Sequence, residues 1–166
     1  PLVEAEDQGI KIKIMGAAVG HDRIILSINF LGLKNVEQYF KNAPKYTNTI
    51  IQPQDLKLLL ENGETCNAIA QENYGVVYNS MVKNKDGSYT ENFEIAGKIE
   101  NSQKVSLNIR KILNKSGQWN AEFDLTYRPS TVYKIDKDFD IHDNHTGKLN
   151  LKNIIMDSIS TTIEYT

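Results

Sequence analysis

The chain has 166 residues, 19 basic against 21 acidic side chains, and a single cysteine. That length suits one domain or a little more, with roughly 70% of the unfolded surface removable from water, so a core forms without covalent staples. One cysteine excludes an intrachain disulfide and a multi-cysteine zinc site, and the near-even charge lacks the clustered basic excess of a nucleic-acid surface.

No apolar run approaches the ~20 residues that a membrane helix needs. Pro1 stands where a translated chain carries methionine. The chain is therefore expected to be a cut piece of a longer protein, with any signal or anchor upstream.

Residues 1–8 are acidic and aperiodic and read as an N-terminal linker. From Gly9 the pattern changes: Ile10, Ile12 and Ile14 alternate with Lys11 and Lys13, the mark of a half-buried strand. The small residues Gly16 to Gly20 continue it and suit a bulge, His21-Asp22 makes a turn, and Ile24, Leu26, Ile28 and Phe30 return as a second strand.

Asn35 to Asn42 predicts one or two helical turns, with Asn35 as cap, Val36, Tyr39 and Phe40 at helical spacing, and Pro44 ending it. In Asp55 to Ala70, Leu56, Leu59 and Leu60 fit a helix closed by Gly63, whereas Leu56, Leu58 and Leu60 fit a strand; Asn62-Gly63 favours the hairpin. Gln71 to Val82 shows no clean period, and Asp86-Gly87 centres a turn before the alternating Phe93, Ile95, Gly97 and Ile99.

The clearest stretch is Lys104 to Tyr127. Val105, Leu107 and Ile109 alternate, a turn follows at Asn114 to Gly117, and Trp119, Ala121, Phe123, Leu125 and Tyr127 alternate again. Pro129 marks an exit. Val132 to Ile141, Leu149 to Met156 and Ile159 to Tyr165 are three further strands. About ten strands with regular turn signals predict an all-β fold, an immunoglobulin-like antiparallel β-sandwich over 9–130 with one short helix and an additional C-terminal β-hairpin within 131–166.

A shift of 137 positions carries Ile12, Ile14, Ala17, Val19, Leu26 and Ile28 onto Leu149, Leu151, Ile154, Met156, Ile163 and Tyr165. Residues 131–166 thus either belong to the same sandwich or open a second, truncated one. Two strands alone are marginal in water, so these strands are expected to pair with the first sheet.

The densest polar constellation is Asp136, Asp138, Asp140, His142, Asp143 and His145. On a strand the first four share a face, and oxygens beside an imidazole suit a divalent cation. The calcium-loop spacing is not met, since Ile141 occupies the turn-glycine position, and a solvated strand face whose like charges deter edge pairing is the plainer account. No metal, cofactor or catalytic residue is assigned. His21 reads as turn chemistry, Cys66 as a small buried side chain, and Glu94 and Glu100 as exposed strand acids. No serine or cysteine has the context of an activated nucleophile, and no phosphate-binding or zinc-protease motif occurs, so the chain reads as non-enzymatic. Tyr39, Tyr46, Tyr74, Tyr78 and Tyr89 form either a partner surface or the caps of an open sandwich. Trp119 reads as core.

Three stretches carry a family resemblance. Gly9 to Phe30, Gly117 to Tyr127 (GQWNAEFDLTY) and Thr131 to Tyr165 together resemble an extracytoplasmic domain of unknown function from membrane-anchored, anti-sigma-factor-like proteins of Gram-positive bacteria. Gln118 stands within the family's Gly-Lys-Trp pattern, and Met156-Asp157-Ser158-Ile159 replaces an expected Ser-Pro turn. The resemblance implies an upstream membrane helix, a cytoplasmic region that holds a sigma factor, and here an outward-facing sensor or interaction module for a protein, peptide or cell-wall ligand. The contrasting expectation is a secreted carbohydrate- or metal-binding module, or a hydrolase, using residues 136–145.

Overall fold

The computed structural model describes residues 1–44, 49–69, 81–142 and 146–166. Val3–Asp7 (β1), Ile10–Val19 (β2) and Arg23–Leu31 (β3) form an antiparallel meander. β1 corrects the expected linker at 1–8. Its five residues are too few to display a period, and its acids are what meet the neighbour: Glu4 lies opposite Lys13 and Glu6 opposite Lys11, at 3.4 and 3.5 Å, while Val3 and Ala5 pack on the core. Gln8 and Gly9 both take positive φ, the two-residue turn whose twist suits a hairpin. The ladder between β2 and β3 slips one residue between Ile14 and Gly16, where the small residues placed a bulge.

The helix α1 spans Val36–Asn42. Asn35 precedes it in a left-handed conformation with no side-chain cap, contrary to the expected capping role, and the C-terminal end is closed by the Ala43 N–H donating to the Tyr39 carbonyl. Tyr39 and Phe40 pack edge to face and lean on the core. After one 3₁₀ turn at Pro53–Asp55, Leu56–Leu60 (β4) and Thr65–Ala68 (β5) form the hairpin, with Gly63 at φ +83° in its loop. The alternation of Leu56, Leu58 and Leu60 wins over helical spacing because all three reach the core. Val82–Lys83 (β6) folds through the Asp86-Gly87 turn onto Tyr89–Ala96 (β7), and Gln103–Ile112 (β8) and Lys115–Leu125 (β9) make the longest pair of the sheet. Their turn is Leu113-Asn114 rather than Asn114 to Gly117, because Leu113 is buried and donates its N–H to the Ile50 carbonyl.

The strand order β1-β2-β3-β7-β5-β4-β8-β9 brings the last strand back to the first. The Gln118 N–H donates to Asp7 Oδ2 at 2.7 Å, Lys115 Nζ to the Gln8 carbonyl at 2.7 Å, and Trp119 Nε1 to the Ile10 carbonyl at 2.8 Å. The result is a nearly closed antiparallel β-sandwich around one core with fully buried Trp119. The glycine two residues earlier has a steric reason: a Cβ on Gly117 would lie 2.6 Å from Cη2 of the Trp119 ring.

Thr131–His142 (β10), Thr146–Met156 (β11) and Thr161–Tyr165 (β12) form a separate three-stranded antiparallel sheet. The expected pairing with the first sheet does not occur among the described residues. The two end strands of the sheet, β1 and β9, face each other, with the Gln118 N–H of β9 donating to Asp7 of β1, and neither pairs with a strand of 131–166. Instead the β11–β12 turn docks on the β2–β3 turn: Asp157 Oδ2 accepts the His21 N–H at 2.7 Å, and Ser158 donates its hydroxyl to the Val19 carbonyl at 3.0 Å.

Candidate functional site

Asp138 lies opposite Asn150 and Asp140 opposite Lys148, on one face of β10. Asp136 sits where the β10–β11 ladder slips, at φ +44°. The carboxylates serve their own sheet: Lys152 Nζ donates to Asp136 Oδ1 at 3.2 Å and Asn150 Nδ2 to Asp138 Oδ1 at 2.6 Å. Hydrogen bonding by Lys152, then its charge, holds the exposed Asp136 carboxyl below the usual range. Among the described residues no three His, Cys, Asp or Glu side chains are placed to share a metal ion. His142 falls on the strand opposite Thr146, while Asp143 and His145 lie outside the described residues.

The other sequence candidates are dispersed. His21 is a turn residue gripped through its backbone. Cys66 is buried against Gly97, and burial, with the Glu64 charge second, pushes its thiol pKa up, away from thiolate chemistry. Glu94 pairs with Arg23 at 3.0 Å and Glu100 with Lys98 at 2.8 Å. Tyr39 packs on the core and Tyr89 is buried, whereas Tyr46, Tyr74, Tyr78 and the aperiodic stretch around them lie outside the described residues.

One buried acid escaped sequence reading. Glu91 on β7 lies opposite Ile28, only 3% exposed, and its Oε2 accepts the Ile50 N–H at 2.8 Å. Burial pushes its pKa up to about 7, tempered by hydrogen bonding with Thr49 and Ile50. The available signal was its slot: Tyr89, Glu91, Phe93 and Ile95 follow one another at period 2, so the acid had to face inward.

Among the described residues, the largest gathering of exposed apolar side chains is on β10–β12. Tyr133 pairs opposite Ile154 and Ile154 opposite Ile163, Phe139 opposite Leu149, and Leu151 opposite Tyr165, so these residues share one face. Tyr133, Phe139, Met156, Ile163 and Tyr165 are all exposed there. Exposed apolar patches of this kind mark contact surfaces.

No family model, curated protein or solved structure matches this chain. None of the described helices is long and apolar enough to cross a membrane.

Proposed function

We propose that the chain is a non-enzymatic, extracytoplasmic sensor and interaction domain of a membrane-anchored, anti-sigma-factor-like regulator. The observation that carries the reading is the apolar face of β10–β12, exposed on a sheet separate from the sandwich. Asp157 grips a turn, Glu91 holds a loop strand-side, and Asp136 and Asp138 stitch β10 to β11. The three stretches that carry the family resemblance fall on whole structural units: the β2–β3 hairpin, β9, and the β10–β12 sheet. Work by contact, with a state change passed through an anchor, is what such a surface performs.

The test places Phe139→Glu together with Ile163→Glu in the full-length protein and reads sigma-dependent transcription in cells. The expected result is an altered transcriptional response with an unchanged melting temperature of residues 1–166, because both side chains are exposed there. An unaltered response, with the variant shown to be on the cell surface by protease accessibility, overturns the reading.

A further inference from the structure

The β11–β12 hairpin repeats the β2–β3 hairpin residue for residue. In the first, Ile14 pairs with Ile28, the ladder skips Met15, and pairing resumes from Gly16–Ser27 to Val19–Ile24. Its turn is closed by the Gly20 N–H donating to the Arg23 carbonyl at 2.8 Å. In the second, Leu151 pairs with Tyr165, the ladder skips Lys152, and pairing resumes from Asn153–Glu164 to Met156–Thr161. Its turn is closed by the Asp157 N–H donating to the Ser160 carbonyl at 3.0 Å.

Each of these pairs is the earlier one moved by 137 positions, with the bulge and the turn included. The third strand follows the same plan. β1 meets β2 with Glu4–Lys13 and Ala5–Ile12, and β10 meets β11 with Asp138–Asn150 and Phe139–Leu149, with three more residues of chain between the paired positions in the second case. Alternating hairpins align readily by their apolar residues, but a shared bulge position and turn length do not follow from alternation.

The two copies differ in what covers them. Ile14, Val19, Leu26 and Ile28 are 0 to 3% exposed, in one core with Leu58 of β4, Leu107 of β8 and Trp119 of β9. Of their counterparts, Leu151 is half-buried, and Met156, Ile163 and Tyr165 are 46, 56 and 65% exposed.

We propose that β10–β12 are the opening meander of a second unit of this same fold, and that their apolar face seats that unit's own equivalents of β4, β8 and β9. This rests on reading the face as a contact surface but makes its occupant the same chain, so that any partner of the proposed regulator meets the completed units and not the bare face. The first unit's β4, β8 and β9 cannot serve, because β1–β3 already fill them; a second copy of residues 1–166 offers only its own identical β10–β12 face, the self-association that the sedimentation arm of the test reads. The docked turns then set the two units against each other by the same end, through the Asp157–His21 contact.

The experiment compares amide hydrogen exchange in residues 1–166 and in the full-length protein, with Leu26→Glu and the equivalent Ile163→Glu in each. In residues 1–166, Ile163→Glu leaves the melting temperature in place while Leu26→Glu abolishes the sandwich transition. In the full-length protein, β11 and β12 amides slow by about a hundredfold or more toward those of β2 and β3, and Ile163→Glu now abolishes a separate transition. Equal β11 and β12 exchange in both proteins overturns the proposal. So does protection of residues 1–166 that appears in step with dimer formation by sedimentation, which would assign the face to self-association. Either result leaves the transcriptional test of function standing by itself.

Discussion

Asp157 accepts the backbone N–H of His21 at 2.7 Å, across 136 positions of chain. The same carboxylate closes its own turn, taking the N–H groups of Ile159 and Ser160 at 2.8 and 2.7 Å and the Ser160 hydroxyl at 2.9 Å. One acid therefore shapes the β11–β12 turn and fastens it to the β2–β3 turn. Burial acts to raise its pKa, but the donors of Ile159, His21 and Ser160 outweigh it and hold the group below the usual range.

Replacing Asp157 by alanine should loosen the docking of β10–β12, with a loss of about 1.5–3 kcal/mol for hydrogen bonds to a charged acceptor. A group whose folded pKa is depressed contributes above its unfolded pKa and loses that contribution as pH falls through the folded value. Docking should therefore weaken in acid in the native chain and show no such acid dependence in the variant. NMR relaxation of β12 against β3 measures it; identical tumbling of both sheets in the variant contradicts the assignment.

Gly20 tests the same contact by bulk. A Cβ there would lie 2.7 Å from Cγ1 and Cδ1 of Ile159 and 3.0 Å from Asp157 Oδ2. Gly20→Val should separate the two sheets' motions while leaving the main melting transition of the sandwich within about 0.5 kcal/mol.

Glu91 sets a pH dependence of opposite sign. Its folded pKa of about 7 exceeds the ordinary 4.5, so the folded chain holds a proton that the unfolded chain has released. Stability from this group is whole below pH 4.5, falls as pH rises between 4.5 and 7, and by pH 8 has dropped by about 3 kcal/mol. Glu91→Gln keeps an acceptor for Ile50 without the charge, and should raise the pH 8 stability by that order while changing little at pH 4. Urea melts at the two pH values decide, and equal effects at both would refute the buried-acid account.

Trp119 joins two long-range ties, its fully buried ring and its Nε1 bond to the Ile10 carbonyl. Trp119→Ala should cost about 3–5 kcal/mol. Trp119→Phe should cost about 1–3 kcal/mol, since the Ile10 carbonyl loses its donor. Denaturant midpoints with unchanged slopes are the readout.

Calcium up to millimolar concentration should leave the melting temperature unmoved. Asp136 and Asp138 already have Lys152 and Asn150 as partners, which a cation would have to displace. A rise with concentration, as mass action requires of a specific ligand, would restore the cation reading of residues 136–145.

Alternation by itself determined the longer strands and which way they faced. Ile24, Leu26, Ile28 and Phe30, and Val105, Leu107 and Ile109, could bury their apolar sides only by all pointing one way. Turn chemistry placed the breaks at Asn62-Gly63 and Asp86-Gly87, where positive φ falls on Gly63 and Gly87. β1 was hidden because its five residues show mainly charge, and that charge acquires meaning only opposite Lys11 and Lys13. Glu91 occupied a visible inward slot, but its value depended on the Ile50 N–H arriving from a distant loop. Tertiary structure alone decided that β1 closes on β9 and that β10–β12 pair among themselves. Hydrogen bonds such as Gln118 to Asp7 and His21 to Asp157 join groups more than a hundred residues apart, and no local pattern encodes which distant edge a strand will meet.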